Sequence, residues 1–391
     1  MAHRVAARME QIGTETAFEV LVRARALEAQ GRDVIHLEIG EPDFDTPSHI
    51  IRAAQQALEE GYTHYSPALG LPELRAAIAQ EVSATRGISV DPRQVAVTPG
   101  GKPIMFYSLL ALVEPGDEVI YPNPGFPIYE SMITFLGGTP VPLPLREANQ
   151  FRFDPDEFRS LVSDRTRLVI LNSPANPTGG VLELADLQSV AEAARERDLV
   201  VLSDEIYGRI LYEGQFRSIA SLEGMPERTI ILDGFSKTYA MTGWRLGYGI
   251  FPEWLVPHID RLIVNSVSCT AAFAQRAALT ALQGPQDAVA AMVAEFKRRR
   301  DFVVARLNQI AGVSCLCPHG AFYAFPNIQS TGLPSKHLAD LLLQEAGVAT
   351  LSGTAFGAYG EGYLRLSYAN SLENLARACD RIEATLARLA R

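Results

Sequence analysis

The chain of 391 residues is 47% hydrophobic and 20% charged, the balance of an ordinary globular protein, and is long enough for two domains or one large domain with a lobe. A formal net charge of −10 leaves no basic surplus for nucleic acid as the main partner. No stretch approaches the roughly 20 apolar residues that span a bilayer, and the first residues lack the apolar run of a signal peptide.

A cytoplasmic location is therefore expected, with Cys269, Cys315, Cys317 and Cys379 reduced. Cys315, Cys317 and His319 are too tightly spaced for a usual zinc knuckle and no second ligand pair follows, so no metal is expected.

Thr16 to Gln30 has helical spacing with Gly31 as a stop, and Val34 to Ile39 is strand-like before the turn-rich Gly40-Glu-Pro-Asp-Phe-Asp-Thr-Pro47. Helical patterns near 48–60 and 71–86 flank a loop that carries Tyr62 and Tyr65. Seven strands are then expected at Val95–Thr98, Glu118–Tyr121, Pro140–Leu143, Leu168–Leu171, Leu199–Ser203, Thr229–Leu232 and Leu246–Ile250. Helices fill most gaps, notably 102–113, 125–136 and 184–197. Short apolar strands alternating with helices imply an α/β fold with a mostly parallel sheet covered on both faces. After about residue 284 a long helix (286–308), shorter strands near 321–325 and 363–368, and helices near 335–345 and 371–390 suggest a smaller α+β lobe. The expected division is a large domain over 46–284 and a small one from 1–45 with 285–391.

Ligands of open α/β sheets sit at the carboxyl ends of the strands, and four strand exits here carry polar groups. At Thr98-Pro-Gly-Gly-Lys-Pro103, Gly100 and Gly101 let the backbone approach an anion at a helix N-terminus, although a plain turn explains the same residues. Asn172-Ser-Pro-Ala-Asn-Pro-Thr-Gly-Gly180 reads either as turn formers or as a polar loop at the sheet's active edge. In Ser203-Asp-Glu-Ile-Tyr207, Asp204 is a buried carboxylate in need of a cationic or hydrogen-bonding partner, or else a helix cap. The fourth exit is Gly234-Phe-Ser-Lys-Thr-Tyr-Ala-Met-Thr-Gly-Trp-Arg-Leu-Gly-Tyr248. Its Lys237 stands among Phe235, Tyr239, Met241 and Trp244, neighbours expected to desolvate the amine and lower its pKa, as a nucleophilic lysine requires. Farther on, Tyr363-Leu-Arg-Leu-Ser-Tyr368 places Arg365 among apolar residues, either in a surface ion pair or as a carboxylate partner. An amine nucleophile, an acid, hydroxyl and amide donors, a helix start and an arginine together suit pyridoxal 5′-phosphate (PLP).

These motifs resemble the class I/II aminotransferases of PLP fold type I. The resemblance is carried by residues 236–245, Asn-Pro-Thr-Gly (176–179), Asp-Glu-Ile-Tyr (204–207), Arg-Leu-Ser-Tyr-Ala (365–369), 40–47 and 64–75, and it covers nearly the whole chain. It implies that Lys237 binds the cofactor's aldehyde and moves the substrate's Cα proton. Asp204 would keep the ring nitrogen protonated, and Tyr207 and Asn176 would donate to the ring oxygen. Gly100, Gly101, Lys102, Ser236 and Arg245 would surround the phosphate, and Tyr65 would reach the phosphate of a neighbouring subunit in a homodimer with shared sites. Arg365 would hold the substrate α-carboxylate, helped by Asn176 and the Gly40 backbone.

Two departures bear on specificity. The ring-stacking position is Phe126 where many relatives carry tryptophan, so an indole N–H is lost. Leu262 to Cys269 lacks the arginine that dicarboxylate-specific relatives often place there, which favours a neutral donor such as alanine or a larger apolar or aromatic amino acid. Arg23 or His64 would be the compensating cations for aspartate. Two further readings share parts of this evidence: a PLP-dependent lyase cutting a carbon–sulfur bond, and a regulator that keeps the domain as a ligand sensor. The latter needs a DNA-binding segment ahead of a pattern that already begins near residue 16.

Overall fold

The computed structural model describes residues 5–389. Residues 1–4 and 390–391, which the expected small domain and the last expected helix include, lie outside the described residues. In chain order, α1 (Thr16–Glu28) leads to β1 (Ile35–His36), α2 (Ser48–Glu59) and α3 (Pro72–Arg86). There follow β2 (Val95–Thr98), α4 (Lys102–Leu112), β3 (Glu118–Asn123), α5 (Ile128–Phe135), β4 (Thr139–Pro144) and α6 (Pro155–Leu161). Then come β5 (Thr166–Asn172), α7 (Leu184–Glu196), β6 (Val200–Asp204), β7 (Thr229–Gly234) and β8 (Gly247–Ile250). The helices α8 (Val256–Ser266), α9 (Ala272–Gln283) and α10 (Asp287–Leu307) lead to β9 (Tyr323–Ala324) and α11 (Ser335–Leu341). The chain closes with β10 (Val348–Ala349), β11 (Leu351–Ser352), β12 (Leu364–Ser367) and α12 (Leu372–Leu389).

Strands β2 to β8 make one seven-stranded sheet in the order β2-β8-β7-β6-β5-β3-β4. Neighbours pair in parallel, except that β8 runs antiparallel to both β2 and β7. The alternation of the strands decides what covers each face. Leu168, Ile170, Val200 and Leu202 pack with Ile104, Leu109 and Ile133 of α4 and α5. The intervening Val169, Leu171 and Val201 pack with Leu187, Val190 and Ala194 of α7. Both faces are therefore apolar, as a parallel sheet between helices requires, and each fully buried aliphatic side chain contributes roughly 1.5–3 kcal/mol. Beside it, β11-β12-β9 form a small antiparallel sheet and β1 pairs in parallel with β10.

Several expected boundaries are corrected. The helix expected from 125 begins at Ile128, with Pro127 as its N-cap: a proline biases the residue before it away from helical backbone, which keeps Phe126 and the Pro124-Gly125 pair outside. The strand expected over 34–39 pairs only at Ile35 and His36, since beyond Leu37 the backbone turns to contacts outside a sheet. Helices α8 and α9 occupy a stretch for which the sequence suggests no helix: the buried face of α9 is largely alanine (Ala274, Ala277, Ala278, Ala281), which gives little amphipathic contrast. Among the described residues no helix is long and apolar enough to cross a membrane, and no cluster of His, Cys, Asp and Glu could hold a metal. Cys315, Cys317, Cys269 and Cys379 are all free thiols.

Candidate active site

The exits of β2, β5, β6 and β7 open on a cavity of about 1010 Å³. Strand β8 reverses at this edge, so Gly247 stands opposite both Thr98 and Gly234. That close approach depends on glycine: a Cβ at 247 would lie 2.5 Å from the Gly100 carbonyl carbon and the Gly101 nitrogen. Gly100 has φ +87°, and a Cβ there would lie 2.4 Å from Arg245 Nη2. The guanidinium thus rests on the turn that opens α4, whose first N–H groups have no partner within the helix. Arg245 Nη1 also donates to the Thr242 carbonyl at 2.9 Å. Buried Ser236 lines the same end of the cavity. Lys102, the first residue of α4, directs its amine to Glu15 Oε1 rather than towards that turn.

Asp204 ends β6 in the middle of the cavity wall. Its Oδ2 accepts from the Tyr129 hydroxyl at 2.6 Å and its Oδ1 from the Ile206 backbone N–H at 3.2 Å. Burial raises its pKa to about 6, against the pull of these two donors. The Asp204 carbonyl accepts from Asn172 Nδ2 at 3.1 Å, and Asn172 Oδ1 accepts from the Asn176 N–H at 2.9 Å, which fixes the start of the Asn-Pro-Thr-Gly loop. The hydroxyls of Tyr207 and Tyr323 share a hydrogen bond of 2.7 Å, and burial holds both phenols well protonated. Phe126 meets Tyr129 edge to face, with centroids 5.6 Å apart.

Lys237 donates from Nζ to the Gly40 carbonyl at 2.6 Å, and its amine lies 6.0 Å from the centroid of the Phe322 ring. Burial lowers its pKa to about 8, opposed by Glu41 and assisted by Arg365. The lowered value is as expected, but its source is not. Phe235, Tyr239 and Met241 pack behind the turn in a cluster with Tyr248 and Ala278, and Trp244 donates to Thr46 Oγ1. A tight turn sends successive side chains to opposite sides, so the groups beside the amine come from distant segments.

Arg365, on β12, is only 3% exposed. Its Nη2 donates to the Glu38 carbonyl and its Nη1 to Asn176 Oδ1 at 3.4 Å, while the guanidinium carbon sits 4.6 Å from the Tyr323 centroid and 5.1 Å from that of Phe356. No carboxylate pairs with it among the described residues, so the surface ion pair is set aside.

Most of the expected residues are thus brought to one cavity: Gly40, Gly101, Lys102, Phe126, Asn176, Asp204, Tyr207, Ser236, Lys237, Arg245 and Arg365 line it, with Gly100 against Arg245. Tyr65 stands apart, 88% exposed. Tyr129, Tyr323 and Glu15 join the site unannounced by the sequence. Tyr129 follows Phe126 by three positions, a helical spacing that would have faced it the same way.

Comparison with known proteins agrees with this geometry. The model of the family described as aminotransferase class I and II matches residues 32–382. The aspartate aminotransferase of Pyrococcus abyssi is 46% identical over 359 residues, covering 91% of this chain and 92% of its own. Aromatic-amino-acid aminotransferase 2 of Thermococcus litoralis is 46% identical over 363 residues, covering 92% and 93%. The crystal structure of an aromatic aminotransferase from Pyrococcus horikoshii superposes with a TM-score of 0.89 at 44% identity, over 93% of this chain and 99% of that one. On matches of this extent the chain belongs to the class I and II aminotransferases, enzymes that work with pyridoxal 5′-phosphate.

Proposed function

We propose that this aminotransferase takes its amino group from a neutral L-amino acid with an apolar or aromatic side chain, passes it to a 2-oxo acid, and works as a homodimer. The names of the relatives divide between aspartate and aromatic donors, so the choice rests on the cavity. The observation that carries it is the pairing of Lys102 with Glu15, both on the cavity wall. A dicarboxylic donor would meet a cation already neutralised and a like charge beside it. Neither compensating cation supplies a substitute: Arg23 is tied to Asp340 at 2.7 Å, and neither it nor His64 lines the cavity. Phe18 and Leu21 of α1, with Ile39, offer an apolar wall instead.

The residues suit the cofactor. A guanidinium seated on a glycine turn at a helix start is a cradle for a phosphate. When bound, PLP supplies an aldehyde that condenses with amines and a ring that delocalises the electron pair left as a Cα–H bond breaks. Arg245, Ser236, Gly100 and Gly101 would hold the phosphate, and Phe126 would pack on the ring. Asp204, fixed by Tyr129, would hold the proton on the ring nitrogen, and Tyr207 and Asn176 would donate to the ring oxygen. Lys237 Nζ, with its pKa lowered to about 8 so that a substantial fraction is the free amine near that pH, would take up and give back the substrate's Cα proton. Arg365, with Asn176 and the Gly40 backbone, orients the α-carboxylate.

Exposed Tyr65 supports the dimer, since it lies outside its own cavity and is free to serve a partner's. The division into 46–284 and 1–45 with 285–391 is supported by the apolar cluster that joins Ile35 and Leu37 to Phe296, Val303, Leu364 and Ile382, drawn mostly from the smaller unit, while another cluster packs Val20, Val34 and Phe325 against Val169 and Val201 of the larger one. Four free thiols suit a reducing compartment such as the cytoplasm.

The test is to mix holoenzyme with single amino acids and follow loss of the cofactor's visible band. Phenylalanine and leucine should react with higher kcat/KM than aspartate. A preference for aspartate overturns the donor reading, and silence with all amino acids overturns the residue assignments.

A further inference from the structure

Behind Arg365 lies a second charged group that the reaction does not use. Glu38 is fully buried; its Oε1 accepts from His36 Nδ1 at 2.7 Å, and its Oε2 has no hydrogen-bond partner among the described residues. Arg365 donates to the backbone carbonyl of this same residue, yet its own Nε is also without a partner, and the two side chains form no ion pair. Two buried groups of opposite charge, from distant segments, therefore meet through a backbone carbonyl, each incompletely satisfied and not paired with the other. His36 explains the arrangement. Its second nitrogen, Nε2, meets Glu28 Oε1 at 3.1 Å, and its carbonyl is fixed by Asn370 Nδ2 at 3.0 Å.

We infer that His36 governs how tightly Arg365 holds a substrate's α-carboxylate, by keeping the buried carboxylate of Glu38 neutralised and directed away from the guanidinium. The inference rests on the reading of Arg365 as the α-carboxylate partner. His36 and Glu38 are positioning residues, since neither is assigned a contact with the reacting atoms. The charged groups that meet His36 are Glu28 from α1 and Glu38 from its own segment; Arg25 of α1 and Arg365 of β12 line the same cavity, and β10 pairs beside it with only Val348 and Ala349. With a carboxylate at each ring nitrogen the imidazole holds both protons, and hydrogen bonding to Glu38, against burial, raises its pKa to about 8. Once His36 loses its charge, Glu38 is left with Arg365, the guanidinium that donates to its backbone carbonyl and whose charge its carboxylate favours. An incoming carboxylate then competes with a resident one in a medium where charges interact strongly.

The experiment measures binding of 3-phenylpropionate, a monocarboxylate without an amino group, to the holoenzyme from about pH 7 to about pH 9.5, a range that spans His36 ionisation. The variants are His36→Gln, Glu38→Gln, the double variant and Arg365→Met. His36→Gln should bind about tenfold more weakly than the wild type near pH 7, where the wild-type imidazole is charged, with the deficit closing as pH rises through about 8, and should raise the donor's KM while leaving kcat unchanged. Glu38→Gln and the double variant should bind at least as well as the wild type at neutral pH and with a shallower pH slope. Rescue by the second substitution separates a charge effect from damaged packing. Binding by His36→Gln equal to wild type at every pH overturns the inference, as does a double variant as weak as His36→Gln. If Arg365→Met binds the probe like the wild type, the α-carboxylate reading itself fails, an outcome distinct from the other two.

Discussion

Two arginines lie deep in this protein and live in opposite surroundings. Arg86, the last residue of α3, donates from Nε to Glu205 at 3.1 Å, from Nη2 to Asp233, and from Nη1 to Thr85 Oγ1 at 2.7 Å. Its carboxylates are themselves satisfied, Glu205 by the hydroxyls of Ser203 and Ser218 and Asp233 by Tyr248 and the Gly234 N–H. Burial opposes its charge, but Asp233 and Glu205 hold its pKa above the ordinary arginine value. Arg365 is as deeply buried and has two aromatic rings and two uncharged oxygens, and burial pulls its pKa down. The difference teaches how a buried cation can be classified without a ligand in view. One that arrives with its counter-ions joins strands together; one held in place but left without an anion is prepared for an anion from outside.

Removing each guanidinium is the sharpest way to break the contrast. Arg86→Met strands two carboxylates in the interior and should cost about 3–5 kcal/mol in urea unfolding. Arg365→Met should leave unfolding within about 1 kcal/mol of the wild type, because it removes an unpaired buried charge, while raising the donor's KM about 100-fold. Equal destabilisation by both would erase the distinction. A third cation sits between the two extremes, since Lys102 has one carboxylate and an exposed position. Glu15→Gln should free it and raise kcat/KM for aspartate relative to phenylalanine about tenfold; an unchanged ratio would remove the basis for the neutral-donor reading. The smallest effect concerns His36, whose folded pKa of about 8 lies above the ordinary histidine value of 6.5. A raised value means the stabilisation is fully present below about pH 6.5 and is lost as pH rises through about 8, amounting to at most about 2 kcal/mol. Urea titrations at the two ends of that window should differ for the wild type and agree for His36→Gln.

The strands were legible because buried parallel strands are short apolar runs, and residues such as Asp204 and Lys237 were legible because they directly follow such runs. What stayed hidden depends on partners far along the chain. Tyr129 reaches Asp204 across 75 positions and Tyr207 reaches Tyr323 across 116, distances over which no local pattern operates. Lys102 shows the same limit from the other side: its place at a helix start suggests a phosphate, but Glu15, 87 positions away, takes its amine. The lowered pKa of Lys237 was foreseen from the wrong neighbours, since a turn decouples adjacency in sequence from adjacency in space. The Glu38–His36 pair had no signal at all, being two polar residues in what reads as an ordinary strand.

The apolar wall facing a donor's side chain is contributed largely by α1, whereas the groups proposed to handle the proton come from the ends of the central strands. Because these two sets sit on different segments, preference for one amino acid over another can drift while the machinery of proton transfer stays put. Grafting residues 16–28 from a relative with another taste would be a direct way to retune this enzyme without touching Lys237.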